Sequence, residues 1–265
     1  MNPGAIPSTS RSPRGVQVSS TRRTALVAGV FFILTFITAI VGVFAYGPVL
    51  TDAHYITSGG ADTRVLLGAF MELLLIITNI GTAVALFPIL KRQNETLALG
   101  YVTARVVECT FILIGIVSLL TVVTLRQGTA GTDAGSLVTV GKSLVAIHSW
   151  TFLLGPGFIA GLGNGLMLGY LMYRSGLVPR RVALLGLIGG PLLAASGIAV
   201  LFGLFAAGSA WQGIATVPEF IWEAFLGLWL TFKGFNPSAL AALGAGETPE
   251  FRAGAGSSVD AVVAA

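Results

Sequence analysis

Six stretches of this chain are each long and apolar enough to cross a lipid bilayer, and no other feature limits the fold as much. A helix rises about 1.5 Å per residue, so roughly 20 apolar residues span a hydrocarbon core about 30 Å thick. The stretches run approximately over 25–46, 65–90, 98–125, 145–173, 182–206 and 213–235, none with a long polar break. Lipid offers no partner to backbone N–H and C=O groups, so each stretch must close its own bonds as a helix. The alternating ten-residue pattern of a membrane barrel is absent. The predicted fold is all-α, a polytopic transmembrane bundle of about six helices.

The surface such a chain presents has to be apolar. Of its 265 residues 54% are apolar and only 10% charged, with a mean hydropathy of +0.87. Too few polar groups are available to cover a water-soluble body, so the expected partner is the lipid bilayer. The net charge of +4 does not indicate nucleic acid, because the basic residues sit at the ends of apolar runs. Their placement is lopsided. Arg11, Arg14, Arg22, Arg23, Lys91, Arg92, Arg174, Arg180, Arg181, Lys233 and Arg252 fall on one side, and only Arg64, Arg126 and Lys142 on the other. The positive-inside rule then predicts a cytoplasmic N-terminus and a cytoplasmic C-terminus. Tyr46, Trp150 and Trp211 at the outer edge, with Tyr101 and Tyr173 at the inner, are expected to form interfacial belts. Val43-Phe44-Ala45 has the small-residue form of a signal-peptidase site, but the run before it exceeds the 7–15 apolar residues of a cleavable signal. The first span is therefore read as uncleaved.

Residues 1–22 and 237–265 are Ser/Pro/Arg-rich and Ala/Gly-rich respectively, and both are predicted to be disordered cytoplasmic tails flanking a membrane domain over 23–236. The outer loops around 51–64 and 127–143 are short and polar. No stretch has the material for a soluble catalytic domain. Cys109 is the single cysteine, so neither an intrachain disulfide nor a cysteine metal site is available.

Several segments have a recognisable form. They are Arg23-Thr24-Ala25-Leu26-Val27-Ala28-Gly29, Tyr46-Gly47-Pro48-Val49-Leu50, the run from Ala61 to Phe70, Phe87-Pro88-Ile89-Leu90-Lys91-Arg92 and Ala104-Arg105-Val106-Val107-Glu108. Trp222-Glu223, Gly227-Leu228-Trp229-Leu230 and Lys233-Gly234-Phe235 complete the set. Together they resemble a bacterial multi-pass membrane family known as a domain of unknown function, DUF4386, over roughly Arg22 to Phe235. The resemblance implies the same helical bundle and a bacterial inner (cytoplasmic) membrane. It implies no activity.

Function has to be sought among ionisable and polar groups inside the spans, each of which costs about 2.5–3.5 kcal/mol at a helix centre if charged. Glu72, Asn79, Arg105, Glu108, His148, Glu219 and Glu223 form the candidate intramembrane site. Counted at the helical rise, Glu72, Glu219 and His148 lie roughly 10, 9 and 5 Å from the outer end, while Glu108 and Glu223 lie near the midplane. Two levels of acid make a stepped path if their helices adjoin. Arg105 and Glu108 are spaced i,i+3 and can pair, whereas Glu219 and Glu223 at i,i+4 crowd two acids onto one face. Glu72 and Asn79 share one stripe. His148 reads as an interfacial histidine, and Asn79 and Asn164 read most simply as interhelical hydrogen-bonding groups.

Gly157, Gly161, Gly165 and Gly169 recur every fourth residue in the fourth span, a small-residue ridge suited to helix packing or to a homo-oligomer or another membrane partner. The local Gly161-x-Gly163-x-Gly165 run lacks a preceding strand and is not a nucleotide loop. Pro156 and Pro191 remove backbone bonds and are expected to kink or hinge their helices. No cofactor and no metal are predicted. Two readings of function stand together: a small cation- or proton-coupled solute transporter using intramembrane carboxylates, or a non-catalytic membrane sensor, scaffold or assembly partner. Two sets of three spans in inverted orientation would suit the first. An enzyme is not expected, since His148 is the one histidine within a span and His54 lies in an outer loop.

Overall fold

The computed structural model describes residues 14–58, 60–128 and 133–245. These form helices and no strands. Six are long: α1 (Arg14–Thr51), α2 (Asp62–Leu90), α3 (Glu95–Gly128), α4 (Ala134–Ser175), α5 (Arg180–Leu201) and α6 (Ala210–Phe232). A short α7 (Pro237–Ala245) follows. Each long helix packs on the next, and α6 closes back on α1, so the six make a ring. Arg22 at the start of α1 donates to the last carbonyls of α6, Leu230 at 3.0 Å and Thr231 at 2.7 Å. Both described ends of the membrane region therefore lie at the same end of the bundle.

α2 shows why these helices form and which way they face. Leu66, Phe70, Leu73, Ile77, Ile80 and Val84 recur at helical spacing and are exposed, Val84 at 64%. The opposite stripe, carrying Glu72, Thr78, Asn79 and Thr82, is buried. A water-soluble helix has the reverse arrangement. Similar apolar exposure recurs at Phe44, Val117, Ile188 and Phe232, on different helices of the ring. An apolar surface of that extent is covered in a membrane and not in water.

Two apolar clusters fill the interior. One, toward the end holding Arg22, gathers Phe32, Leu86, Tyr101, Leu168, Met172, Trp222 and Leu230. The other, toward the opposite end, gathers Tyr46, Val65, Leu75, Ile112, Ile116 and Val122. In sequence the buried polar residues Thr35, Asn79, Arg105 and Glu108 fall between the two sets on α1, α2 and α3. A polar layer thus divides two greasy ones.

The structure departs from the expected boundaries at several points. α4 begins at Ala134, about three turns before the expected start, because the Asp133 carboxylate caps it by accepting from the Ser136 N–H at 2.8 Å. That hydrogen bond also holds the Asp133 carboxyl below the usual carboxylate range. Leu137 and Gly141 then dock the added turns on the Tyr55–Ile56 loop. α5 stops at Leu201, short of the expected 206. The predicted tails are helical where they adjoin the membrane. α1 extends back to Arg14, and α7 is tied to the bundle by the Asn236 N–H donating to the Leu177 carbonyl at 2.9 Å. The remaining tail residues lie outside the described ones. Tyr46 and Tyr101 are fully buried and not interfacial, whereas Tyr173, Trp150 and Trp211 are exposed.

Candidate intramembrane polar site

The sequence of α4 breaks the α-helical pattern where it approaches the polar layer. Leu153–Ile159 and Gly161–Leu168 wind as wider π-helical turns, and the Ala160 N–H reaches the Gly155 carbonyl five residues back. Pro156 lies within the first of these turns and has no N–H to give. Pro191, by contrast, is carried by an uninterrupted α-helix. Wide turns are rare and recur at functional sites. Here they carry Asn164, which is fully buried, into the centre of the ring.

Glycines make the approach close. A Cβ on Gly161 would stand 2.6 Å from the Gly190 carbonyl of α5, and one on Gly169 would stand 3.1 Å from the Leu187 nitrogen. Gly165 lies against the Gly190 backbone and the Glu219 carboxyl. Three of the four ridge glycines are thus covered by α5 of the same chain. Gly157 meets only its own helix.

The centre is built around α3. The Arg105 guanidinium, 1% exposed, donates from Nη1 to Glu108 Oε2 at 2.8 Å. Asn79 of α2 donates from Nδ2 to Glu108 Oε1 at 3.1 Å, and the Thr35 hydroxyl of α1 lies 2.9 Å from Thr78 Oγ1 and 3.3 Å from Asn79 Oδ1. Both oxygens of Glu108 are thereby bonded. On the far side of the ring, Asn164 Nδ2 donates to Glu223 Oε1, and the Trp222 indole N–H donates to the Asn164 carbonyl at 3.1 Å. Glu223 and Glu219 both lie within electrostatic reach of Arg105 and Glu108, so the two sides face one another.

Not every group there has a partner. Arg105 Nε and Nη2, Asn164 Oδ1 and both oxygens of Glu219 are buried without one. Glu219 is 3% exposed. A buried charge without a partner is costly, and a buried polar atom without a hydrogen bond costs about 1–3 kcal/mol. The same site therefore holds one fully bonded carboxyl and one wholly unbonded carboxyl.

A second cluster lies nearer the end opposite Arg22. Tyr46 of α1 donates its hydroxyl to Glu72 Oε2 at 2.9 Å, and His148 Nε2 of α4 stands 3.9 Å from Glu72 Oε1. His148 is buried, with its ring edge-on to Tyr46 at 5.4 Å, and so is not the interfacial histidine the sequence indicated. The early start of α4 accounts for the difference, since it places fourteen residues ahead of His148 in the same helix. Glycines again make the space. A Cβ at Gly68 would meet the Tyr46 ring at 2.6 Å, and one at Gly115 would lie 3.2 Å from His148 Cδ2.

Asn79, Arg105, Glu108, Glu219 and Glu223 are thus gathered at the centre, with Glu72 and His148 paired apart from them. Glu72 and Asn79 are two turns apart on α2, roughly 10 Å at the helical rise. Among the described residues no group of three or more His, Cys, Asp or Glu side chains is placed to hold a metal ion. Tyr46 and Thr35 join the site although they are ordinary apolar-helix residues in the sequence. Arg126 and Asp62, at the ends of α3 and α2 away from Arg22, form a two-pronged ion pair that includes a 2.8 Å bond from Arg126 Nε to Asp62 Oδ1.

A ring of six long helices, apolar outside and polar within, defines a multi-pass helical membrane protein. The family model described as a domain of unknown function, DUF4386, matches residues 27–234, which is most of the chain. The protein belongs to that family. No curated protein and no solved structure matches it.

Proposed function

We propose that the protein is a small proton-coupled carrier of organic cations in a bacterial cytoplasmic membrane, with both termini in the cytoplasm. The reading rests on Glu219, a carboxyl sealed inside the ring with no donor to either oxygen. A carboxyl in that position requires a proton or a cation as its partner. Glu223 is one turn further along the same helix, partly buried, and shares the field of Arg105 and Glu108. Arg105 fixes one positive charge beside three acids, leaving the remaining negative charge for an exchangeable partner. A proton or a diffuse organic cation suits the site, since among the described residues no three His, Cys, Asp or Glu side chains are placed to hold a metal ion. On this reading the protein is not an enzyme.

A specific observation favours the alternative, a membrane scaffold or sensor without transport. Glu108 is saturated by Arg105 and Asn79, as in a clasp that only joins helices. Glu219 separates the two readings, since a clasp has no use for an unbonded carboxyl.

The test is solid-supported membrane electrophysiology on proteoliposomes bearing a pH gradient, challenged with methylammonium, tetramethylammonium and agmatine. Gradient-dependent currents are expected for the wild type and lost in Glu219→Gln and Glu223→Gln. Silence toward every probe, or currents unchanged in both variants, refutes the carrier.

A further inference from the structure

Glu72 and His148 take no part in the polar centre, yet three helices place them together. Tyr46 of α1 donates to Glu72 Oε2 at 2.9 Å, so Oε1 is the oxygen turned toward His148 Nε2, 3.9 Å away. That gap is too wide for a hydrogen bond, and a shift of about 1 Å would bring it into range. Glycine gives the imidazole its place, since a Cβ at Gly115 would stand 3.2 Å from His148 Cδ2. The two side chains are 8% and 4% exposed, His148 the more, whereas the oxygens of Glu219 are sealed.

A cavity of about 180 Å³ supplies an independent observation, because it lies between this pair and the end of the bundle opposite Arg22. Val49 and Val145 line it, one turn beyond Tyr46 on α1 and one turn ahead of His148 on α4. Asp52 and Lys142 line it too. A cavity of that size with charged groups in its wall has the room and the polarity to hold water. Water there stands about one helical turn, roughly 5 Å, from the level of the imidazole.

The surrounding charges leave Glu72 as the partner of His148. Tyr46 is the titratable group of α1 at this level, with Asp52 six residues beyond it. On α2, Arg64 donates to the Phe44 carbonyl and Asp62 is held by Arg126. On α3, Cys109, Glu108 and Arg105 lie six, seven and ten residues before Gly115, and Arg126 lies eleven after it. Lys142 is exposed six residues before His148 on α4. α5 joins α4 along the wide turns beyond the pair, and the acids of α6 belong to the centre.

We propose that Glu72 and His148 form a proton-binding site, reached through the water of that cavity, at which the carrier takes up its coupling proton. On loading, a hydronium ion gives its proton to the imidazole and leaves as water. The imidazolium then donates to Glu72 Oε1, and the pair passes from one negative charge to none. A carboxylate beside a neutral ring is costly to bury, and the ion pair relieves that cost. His148 and Asn164 share α4 with the wide turns between them, so drawing His148 toward α2 moves the helix that holds Glu223. The use of the proton rests on the carrier reading, and its binding does not.

The full chain has two histidines, and His54 is exposed, so His54→Gln keeps His148 as a single reporter. Labelled with nitrogen-15 histidine in lipid nanodiscs, it is read by magic-angle-spinning NMR, in which a neutral ring shows one protonated nitrogen and an imidazolium two. The imidazolium pattern should replace the neutral one as pH falls from about 8 to about 5. Glu72→Gln should abolish it over that range. Glu72→Asp keeps the charge and should restore it, which separates a lost charge from a lost fold. Lys91→Gln, at the other end of the bundle, should change nothing. Currents under a pH gradient, with the cations named above, should be lost in both Glu72→Gln and His148→Gln. A Glu72-dependent imidazolium without wild-type current refutes the carrier and leaves the proton site standing. A ring that keeps one state across the range, or an imidazolium indifferent to Glu72→Gln, overturns the site. Wild-type currents kept in full by both variants overturn its coupling to transport.

Discussion

Glu108→Gln is the sharpest perturbation of the polar centre. Arg105 is 1% exposed and, among the described residues, Glu108 is the carboxylate hydrogen-bonded to it, at 2.8 Å, while Nε and Nη2 make no hydrogen bond. At an effective dielectric of about 20, unit charges at that separation attract with roughly 6 kcal/mol before desolvation is counted. Removing one member of a buried pair strands the other, and such changes cost about 3–5 kcal/mol. The glutamine carbonyl can still accept from Arg105, and Glu223 remains within electrostatic reach, so the lower end applies: about 3 kcal/mol. Arg105→Met with Glu108→Gln removes both charges and should recover most of that loss. Equilibrium unfolding of Glu108→Gln, Arg105→Met and the double variant in mixed micelles, followed by far-ultraviolet circular dichroism, gives the three losses and hence the coupling. A coupling of at least about 2 kcal/mol is expected. If the two single losses add to the double within about 0.5 kcal/mol, the pair does not hold this layer together and the reasoning fails.

Further outcomes follow from the end of the ring opposite Arg22. Tyr46→Phe deletes the donor to Glu72 and should cost about 1.5–3 kcal/mol in the same unfolding assay, and Gly68→Ala, which sets a methyl 2.6 Å from the Tyr46 ring, should cost at least as much; a neutral Gly68→Ala would mean that the ring does not need that space. In the loop, burial and then the hydrogen bond to Asp62 push the Tyr55 hydroxyl up from 10.0 to about 12. Because the folded value is the raised one, the stability this bond contributes is present below about pH 10 and is lost as pH climbs from there toward 12. The difference absorbance between wild type and Tyr55→Phe at 295 nm should show that high titration, and Asp62→Asn should move it down; no movement would remove Asp62 as a cause.

The part of this architecture that is legible in the sequence is the part lipid dictates. Six apolar runs of sufficient length have no other stable form, and charges placed inside them stand out because each carries a cost. Arg105 and Glu108 pair across one turn of one helix, so their spacing alone predicts the contact that the structure contains. What depends on the register between helices is not legible. Tyr46 and Glu72 are 26 residues apart on different helices, and they meet because Gly68 leaves room for a ring, which no local pattern announces. The depth of His148 depends on where its helix starts, which the sequence does not announce. One capping aspartate, Asp133, sets that start at Ala134 and with it the depth of the histidine. The π-helical turns of α4 are similarly hidden. A glycine ridge signals close packing, and here it is α5 that takes the ridge, but the sequence does not tell which helix will fill it or that the turns will widen in doing so.

Those wide turns explain how a carboxyl comes to be left without a partner. Glu108 lies thirteen residues after Glu95 in α3, and Glu223 lies thirteen after Ala210 in α6. Spans joined at alternating ends run in opposite directions, so α3 and α6 are antiparallel across the ring. Each of these acids is held by an asparagine from another helix, Asn79 of α2 for Glu108 and Asn164 of α4 for Glu223. The resemblance ends at the arginine. Arg105 closes one couple from three residues before Glu108, whereas Phe220 holds the matching place in α6 and the neighbouring ionisable group, Glu219, is an acid. Gly165 and Gly189 bring backbone so near Glu219 that no side chain fits between, while Gly190 packs on Gly161 and Gly165. The contact that binds α4 and α5 to α6 thus excludes every donor from that carboxyl. Substituting Gly189 by Ala, whose added methyl would stand 2.5 Å from the Glu219 nitrogen, would have to push α6 away and open the sealed pocket. Close packing and an unpartnered charge-bearing group are therefore two consequences of the same glycines, and a ring built only for rigidity would keep the first without the second.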